Sequence, residues 1–332
     1  MIRAWMVMVL GVLAACAPLK RYEFARVCMG VEARVTLYAG SPAAAELAAA
    51  EAFGELARLD AMMSDYRPSS QVSAMGREAG GAWAPIAPEL ESVLRLAGEV
   101  SSASGGAFDV TAGPMTHAWR ETRRTGRLPT PEELERLRGL VDWRGVEVAL
   151  GRARLARAGM RVDLGGIAKG YAAQRAVDRL RARGVPRCLV ALAGDIVAGG
   201  EPPGRPGWHV EVRGRDGPVG VLLLARQAAS TSGDTEQFVE IDGVRYAHLV
   251  DPRTGLGSSR RVSATVIAPR GELADALATA ACLLTPDEAG VMLARFPGTA
   301  CVLVEGEPGA SPAARYLGAT KAMRWHTGGP VR

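Results

Sequence analysis

Lysine is nearly absent from this chain. Of 40 basic side chains in 332 residues, only Lys20, Lys169 and Lys321 are lysines, and arginine supplies the rest. Forty cations against 35 carboxylates leave a net charge of only +5. No Lys/Arg run tracks a phosphate backbone, so nucleic acid is excluded as an expected partner. Aromatics make up 5% of the chain, so the core has to be built from Ala, Val, Leu and Gly. No uncharged run is as long as the roughly 20 residues that a membrane span needs. Cysteine is scarce too. Cys28, Cys188, Cys282 and Cys301 sit singly in apolar segments, without CxxC or Cys/His spacing. That pattern disfavours zinc and points to buried free thiols. With 48% apolar residues the chain is an ordinary globular one, neither disordered nor disulfide-stapled.

An uncharged run of apolar or small residues, Ala4 to Ala15, follows Arg3 and leads into Leu13-Ala14-Ala15-Cys16. A positive start, a short apolar stretch and small residues describe a secretory signal. The last four residues resemble a bacterial lipobox, in which the cysteine becomes the lipidated first residue. Residues 1–15 are then a signal peptide and 16–21 a lipidated tether. The body at 22–332 is one catalytic domain, with room for two lobes. This exports the protein and places it on the periplasmic side of a bacterial membrane, anchored by acyl chains on Cys16.

Along the body, apolar alternation predicts a strand over about 26–38. Helical spacing recurs at 43–63, 88–104, 131–138, 167–183, 272–284 and 286–294. In the helix at 167–183, Gly170, Ala173, Val177 and Leu180 form one apolar stripe. Short strand-like runs fill 145–157 and 188–268, and another lies at 300–304. Asp242-Gly243 between two of these runs is a hairpin signal. The class is α+β, with two closely packed lobes around mixed or antiparallel sheets.

Four segments join Gly to Asp, Ser or Thr. In VDLGGIAKGYA (162–172), Asp163 precedes Gly165-Gly166 and a helix whose second turn offers Lys169. Free N–H groups and a cation at a helix start suit an anion, although an ordinary strand–turn–helix junction reads the same way. In ELADALATA (272–280), Asp275 and Thr279 lie one turn apart on one face, a hard-oxygen pair suited to Mg²⁺. A solvated Asp beside a Thr bonded back to a carbonyl is the plain alternative. TSGDTEQF (231–238) and YAHLVDPRTG (246–255) set polar side chains beside tight turns, with His248 inside a strand run.

Taken together, CMGVEARV (28–35), MMSDYRPSSQVSAMG (62–76), GGAFDVTAGPMTHAW (105–119), VDLGGIAKGYAAQRA (162–176), LVALAGDIVAGG (189–200), STSGDTEQF (230–238), YAHLVDPRTG (246–255) and SATVIAPRGELADALATA (263–280) resemble the ApbE family of flavin transferases. The resemblance implies a Mg²⁺-dependent enzyme that takes FAD as substrate. It splits FAD between the phosphates, attaches FMN to a Thr or Ser hydroxyl of a partner protein and releases AMP. The implied partners are flavin-carrying subunits of membrane redox complexes. Met29, Tyr66, Ala107, Phe108, Asp109, Asp163, Lys169 and Leu249 match FAD-contacting positions. Gly166, Asp275, Ala278 and Thr279 match the metal ligands, and His248 is a candidate proton acceptor.

The family's usual MGT is Met29-Gly30-Val31 here, its GGD is Ala193-Gly194-Asp195, and the aromatic after SGD is Thr235. These departures bear on FAD geometry and leave the expected metal ligands in place. The same residues also fit an FAD pyrophosphatase, with water replacing the acceptor hydroxyl. A non-catalytic FAD-binding lipoprotein is the third reading.

Overall fold

The computed structural model describes residues 18–214, 217–233, 238–306, 313–319 and 325–326. The leader, Cys16 and Thr235 lie outside these residues. In chain order the strands are β1 (Lys20–Cys28), β2 (Val31–Ala39), β3 (Ala84–Pro85), β4 (Val146–Ala149), β5 (Arg152–Leu155), β6 (Cys188–Leu192), β7 (Asp195–Ala198), β8 (Trp208–Gly214), β9 (Gly217–Leu224), β10 (Ala228–Gly233), β11 (Phe238–Ile241), β12 (Val244–Ala247), β13 (Val262–Ala268), β14 (Ala300–Glu305), β15 (Ala313–Gly318) and β16 (Trp325–His326). The helices are α1 (Pro42–Met63), α2 (Gln71–Arg77), α3 (Pro88–Ala103), α4 (Gly113–Thr125), α5 (Pro131–Arg138), α6 (Ala168–Ala182), α7 (Gly271–Ala281) and α8 (Pro286–Ala294).

Eight strands form one sheet in the order β1-β2-β6-β7-β10-β13-β14-β15, with neighbours antiparallel throughout. The class is α+β, as expected. Between "mixed" and "antiparallel", the sheets take the second form. The described parallel pairing is an isolated bridge between Ala112 and Arg161.

Helices α1, α6 and α7 pack together along one face of this sheet. The small sheet β16-β9-β8 contributes to a separate apolar cluster. There Trp208, Val210, Leu222 and Leu224 meet Ala198, Ala229 and Ile267 of the large sheet. Layers on both sides explain why every residue of β13 is buried. A third cluster, Met115, Trp119, Leu137 and Val250, fastens the β11–β12 hairpin to α4 and α5.

Local chemistry sets most boundaries. Ser41 caps α1, its hydroxyl accepting from Ala44 N at 3.3 Å, with Pro42 following. Thr130 with Glu133 and Thr285 with Glu288 form capping boxes at α5 and α8. Asp242 and Gly243 both have positive φ, 51° and 75°, which the two-residue turn between β11 and β12 requires.

Three expectations need correction. The strand at 26–38 is two strands, folded back at Met29-Gly30. Its first member opens at Lys20, so Lys20 and Arg21, expected in the tether, pair with Ala39 and Tyr38. The single stripe on α6 is too narrow: Ala168, Tyr171, Ala172, Gln174 and Ala176 are buried as well. A helix held between two others and a sheet hides most of its circumference.

Candidate active site

The site is built at the end of the large sheet where β6 turns into β7 and where α6 begins. Its geometry starts with two glycines. A Cβ on Gly170 would lie 2.2 Å from Gly271 O, and one on Gly271 would lie 2.2 Å from Gly170 O. Without side chains, α6 and α7 touch backbone to backbone. That contact sets Asp275 against α6, where its Oδ2 accepts from Gly170 N at 2.9 Å.

Asp275 is not solvated; its side chain is 1% exposed. Lys169 Nζ lies 3.9 Å from Asp275 Oδ2 and 3.0 Å from Oδ2 of Asp195, itself buried. Asp195 also accepts from Ser230 Oγ at 2.6 Å. Two buried carboxylates therefore share one ammonium. Burial first, then the Asp195 charge, pushes the Asp275 carboxyl up to about 7. Burial works against the Lys169 charge, but Asp195 and Asp275 together hold its pKa above the ordinary lysine value. Lys169 stands in the first turn of α6, not the second, and donates to Gly165 O at 3.0 Å. Its charge is committed to the two carboxylates.

A hard cation fits this place. The cluster lacks one positive charge, and oxygen donors stand around it. Thr279 Oγ1 is 3.4 Å from Ser232 Oγ. Gly166 packs so closely on Thr279 that a Cβ there would lie 2.9 Å from Oγ1. Ala278 O accepts a long 3.3 Å bond from Cys282 N at the end of α7, and a carbonyl oxygen has a second lone pair for another partner.

Asp163 belongs to a second cluster. Its Oδ2 accepts from Thr116 Oγ1 at 2.7 Å and from Arg120 Nη2 at 3.0 Å, and its Oδ1 accepts from Gly165 N at 2.8 Å. Arg120 also donates to Asp65 at 2.6 Å and lies 4.3 Å over the Tyr66 ring. Burial and the Asp163 charge raise the Asp65 carboxyl. Tyr66, 72% exposed, is thus an aromatic surface held from behind by a salt-bridged arginine.

The remaining residues fall into three groups. Ala107 and Phe108 are buried, with the Phe108 ring beside Gly166. Asp109 accepts from Thr111 N and Oγ1 and from Trp143 N, so its side chain ties down the loop that carries Ala107 and Phe108. Burial raises its pKa. Met29 and Ala193 both sit in hairpin turns at positive φ, 52° and 51°. His248 lies on the exposed bend just past β12 rather than within a strand. Beside it, Leu249 is half-buried, its carbonyl accepting from Ser258 N at 2.8 Å.

Sequence reasoning missed Asp65, Thr116, Arg120, Ser230 and Ser232. Asp195 it noted only as a neighbour of Ala193. Nothing in the order of residues joins Arg120 to Asp65, 55 positions away.

The ApbE family profile matches residues 29–303, most of the chain. The protein belongs to the ApbE family. A Treponema pallidum relative named FAD:protein FMN transferase is 33% identical over 309 residues, covering 87% of this chain and 85% of its own. A Haemophilus influenzae relative of the same name is 29% identical over 245 residues, 70% of each chain. Among solved structures, the apo flavinyl transferase ApbE of Pseudomonas stutzeri superposes with a TM-score of 0.82 at 28% identity, over 94% of this chain and 98% of that one. The ApbE match thus spans both hydrogen-bonded clusters and the turns around them.

Proposed function

We propose that this ApbE-family protein transfers FMN from FAD to a Thr or Ser hydroxyl of a partner protein, releasing AMP. The observation that carries the reading is the pair of buried carboxylates, Asp195 and Asp275, sharing a single ammonium beside the Thr279 hydroxyl. Asp275, Thr279 and the carbonyls of Gly166 and Ala278 would hold Mg²⁺, whose bound charge offsets that of the diphosphate and of the departing AMP. Tyr66 offers a ring face for one of the planar ends of FAD. Asp163, fixed by Thr116 and Arg120, orients the turn before α6 by accepting from Gly165 N. Lys169 holds Asp195 and Asp275 in place, and its charge opposes the rise in the Asp275 pKa.

In the transfer itself, the acceptor oxygen forms a bond to the FMN phosphorus. The anhydride bond to AMP breaks, and the hydroxyl proton passes to His248. Acceptors are flavin-carrying subunits of membrane redox complexes. The protein works on the exported side of a bacterial membrane, anchored through acyl chains on Cys16.

The test is incubation with FAD, Mg²⁺ and a Thr-bearing acceptor domain, followed by flavin fluorescence on a denaturing gel and AMP measurement. Covalent flavin with equal AMP is the expected result. AMP with free FMN and no labelled acceptor would make the protein a pyrophosphatase. Intact FAD would make it a flavin binder.

A further inference from the structure

The two ends of the eight-stranded sheet differ in character. One end carries the site, with the Met29-Gly30 and Ala193-Gly194 turns and the start of α6. At the other end β1 begins, and the β1–β2 register places Lys20 beside Ala39. Tyr38 N donates to Arg187 O just before β6, and Gly200 N donates to Pro186 O. The loop bearing Arg205 and the C-terminus of α6 with Arg181 close the same end.

This end is rich in cations without partners. Lys20, Arg181, Arg187 and Arg205 are exposed and make no ion pair among the described residues. Arg179 and Arg183 pair with Glu51, and Arg226 pairs with Glu201 at 3.3 Å. Asp178 pairs with Arg175, and Glu46, near the start of α1, is exposed. The chain enters the fold here as well. Three residues separate Cys16 from Lys20, so the four chain steps between them reach at most about 14 Å.

We propose that this arginine-rich pole rests on anionic phospholipid headgroups and holds the active site on the far side of the molecule. The orientation rests on the lipidated Cys16 of the preceding section; the affinity of the pole for headgroups does not. Acyl chains keep a protein at a bilayer but do not set its tilt. A short tether with unpaired cations around its point of entry does, because surface charges act within about 8–10 Å of the headgroups. β1 has nine residues, so at about 3.3 Å per residue the site stands about 30 Å above the entry point. An acceptor hydroxyl must then be presented about that far from the membrane, on a domain that stands clear of the lipid.

The test compares the full chain carrying Cys16→Ser with the same chain also carrying Arg181→Ala, Arg187→Ala and Arg205→Ala. Binding is read by co-sedimentation with phosphatidylcholine vesicles, with or without one-third phosphatidylglycerol. The Cys16→Ser parent should favour the anionic vesicles and lose that preference as salt rises. The triple variant should bind them about a hundredfold more weakly, at roughly fivefold per cation. Its melting temperature and FAD affinity should be unchanged, because none of the three arginines touches the site. Equal vesicle binding by parent and variant would overturn the proposal. So would a parent that binds polyglutamate as well as it binds anionic vesicles. An intact mass of the membrane-extracted protein without acyl chains would overturn the tethered orientation even where vesicle binding holds.

Discussion

Asp275 and Ala193 show how single residues can be at odds with their surroundings. Asp275 is a buried carboxylate beside another, so its charge costs stability until a cation compensates it. Asp275→Asn keeps an oxygen for Gly170 N and removes the charge. Urea melts in chelator should show the variant at least as stable as the parent. Transfer should fall about a thousandfold or more, since several kcal/mol of metal-assisted stabilisation are lost. A folded Asp275→Asn protein with normal Mg²⁺-dependent transfer would move the metal elsewhere. Ala193 sits at φ 51°, where the family has glycine. Left-handed backbone costs a non-glycine residue roughly 1–2 kcal/mol, partly offset by the greater chain entropy of glycine. Ala193→Gly should therefore stabilise the protein by about 0.5–1 kcal/mol in a urea titration.

The thiols give a prediction in pH. Burial pushes Cys188 up to about 12 and raises Cys301 as well. In the unfolded chain both ionise near the ordinary cysteine value. A raised folded pKa contributes stability that is whole below that value and is lost as pH rises towards 12. The Cys188 and Cys301 share of thiolate absorbance should thus appear near pH 9 in denatured protein but not until pH is well above 10 in native protein. Native protein should also resist alkylation at Cys188 and Cys301, as mass spectrometry would show. Prompt labelling at pH 8 would contradict the buried placement.

Among the elements, the contact of α6 with α7 carries the site. Gly170→Ala would drive a methyl to 2.2 Å from Gly271 O and 2.7 Å from Asp275 Cβ. Backbone on the far side cannot yield as a flexible side chain can, so a loss of about 1–3 kcal/mol is expected, with FAD affinity reduced as well. Unchanged stability and binding would show that the two helices separate freely. The helices themselves were legible: 131–138 and 286–294 match α5 and α8 to the residue, because capping boxes write their ends locally. α4, at Gly113–Thr125, was not legible. It starts without a side-chain cap and carries few apolar residues, so it takes its stability from Trp119 and Met115 packing under the 247–257 loop. Within the strand-rich stretch at 188–268 the place of β10 was not legible either, because it pairs with β7 and β13, 30 to 40 positions away in the chain.

At the scale of the whole molecule, one sheet separates a polar site from the end where the chain enters. Local rules fixed much of this protein without any fold in view. Caps and turn residues set element ends, apolar periods set the α+β class, and the DLGGIAKG, HLVDPRTG and ELADALATA segments carried the family. Asp163, Lys169, Asp275 and Thr279 could be nominated because each lies in such a segment. Only the tertiary structure decided what their charges face. It turned Lys169 to Asp195 and Asp275, joined Arg120 to both Asp65 and Asp163, and moved His248 off its strand onto a bend. The ion pairs among these span 26 to 106 positions of chain. No local propensity encodes them, because burial and Coulomb energy depend on which side chains the closed fold brings within a few ångströms.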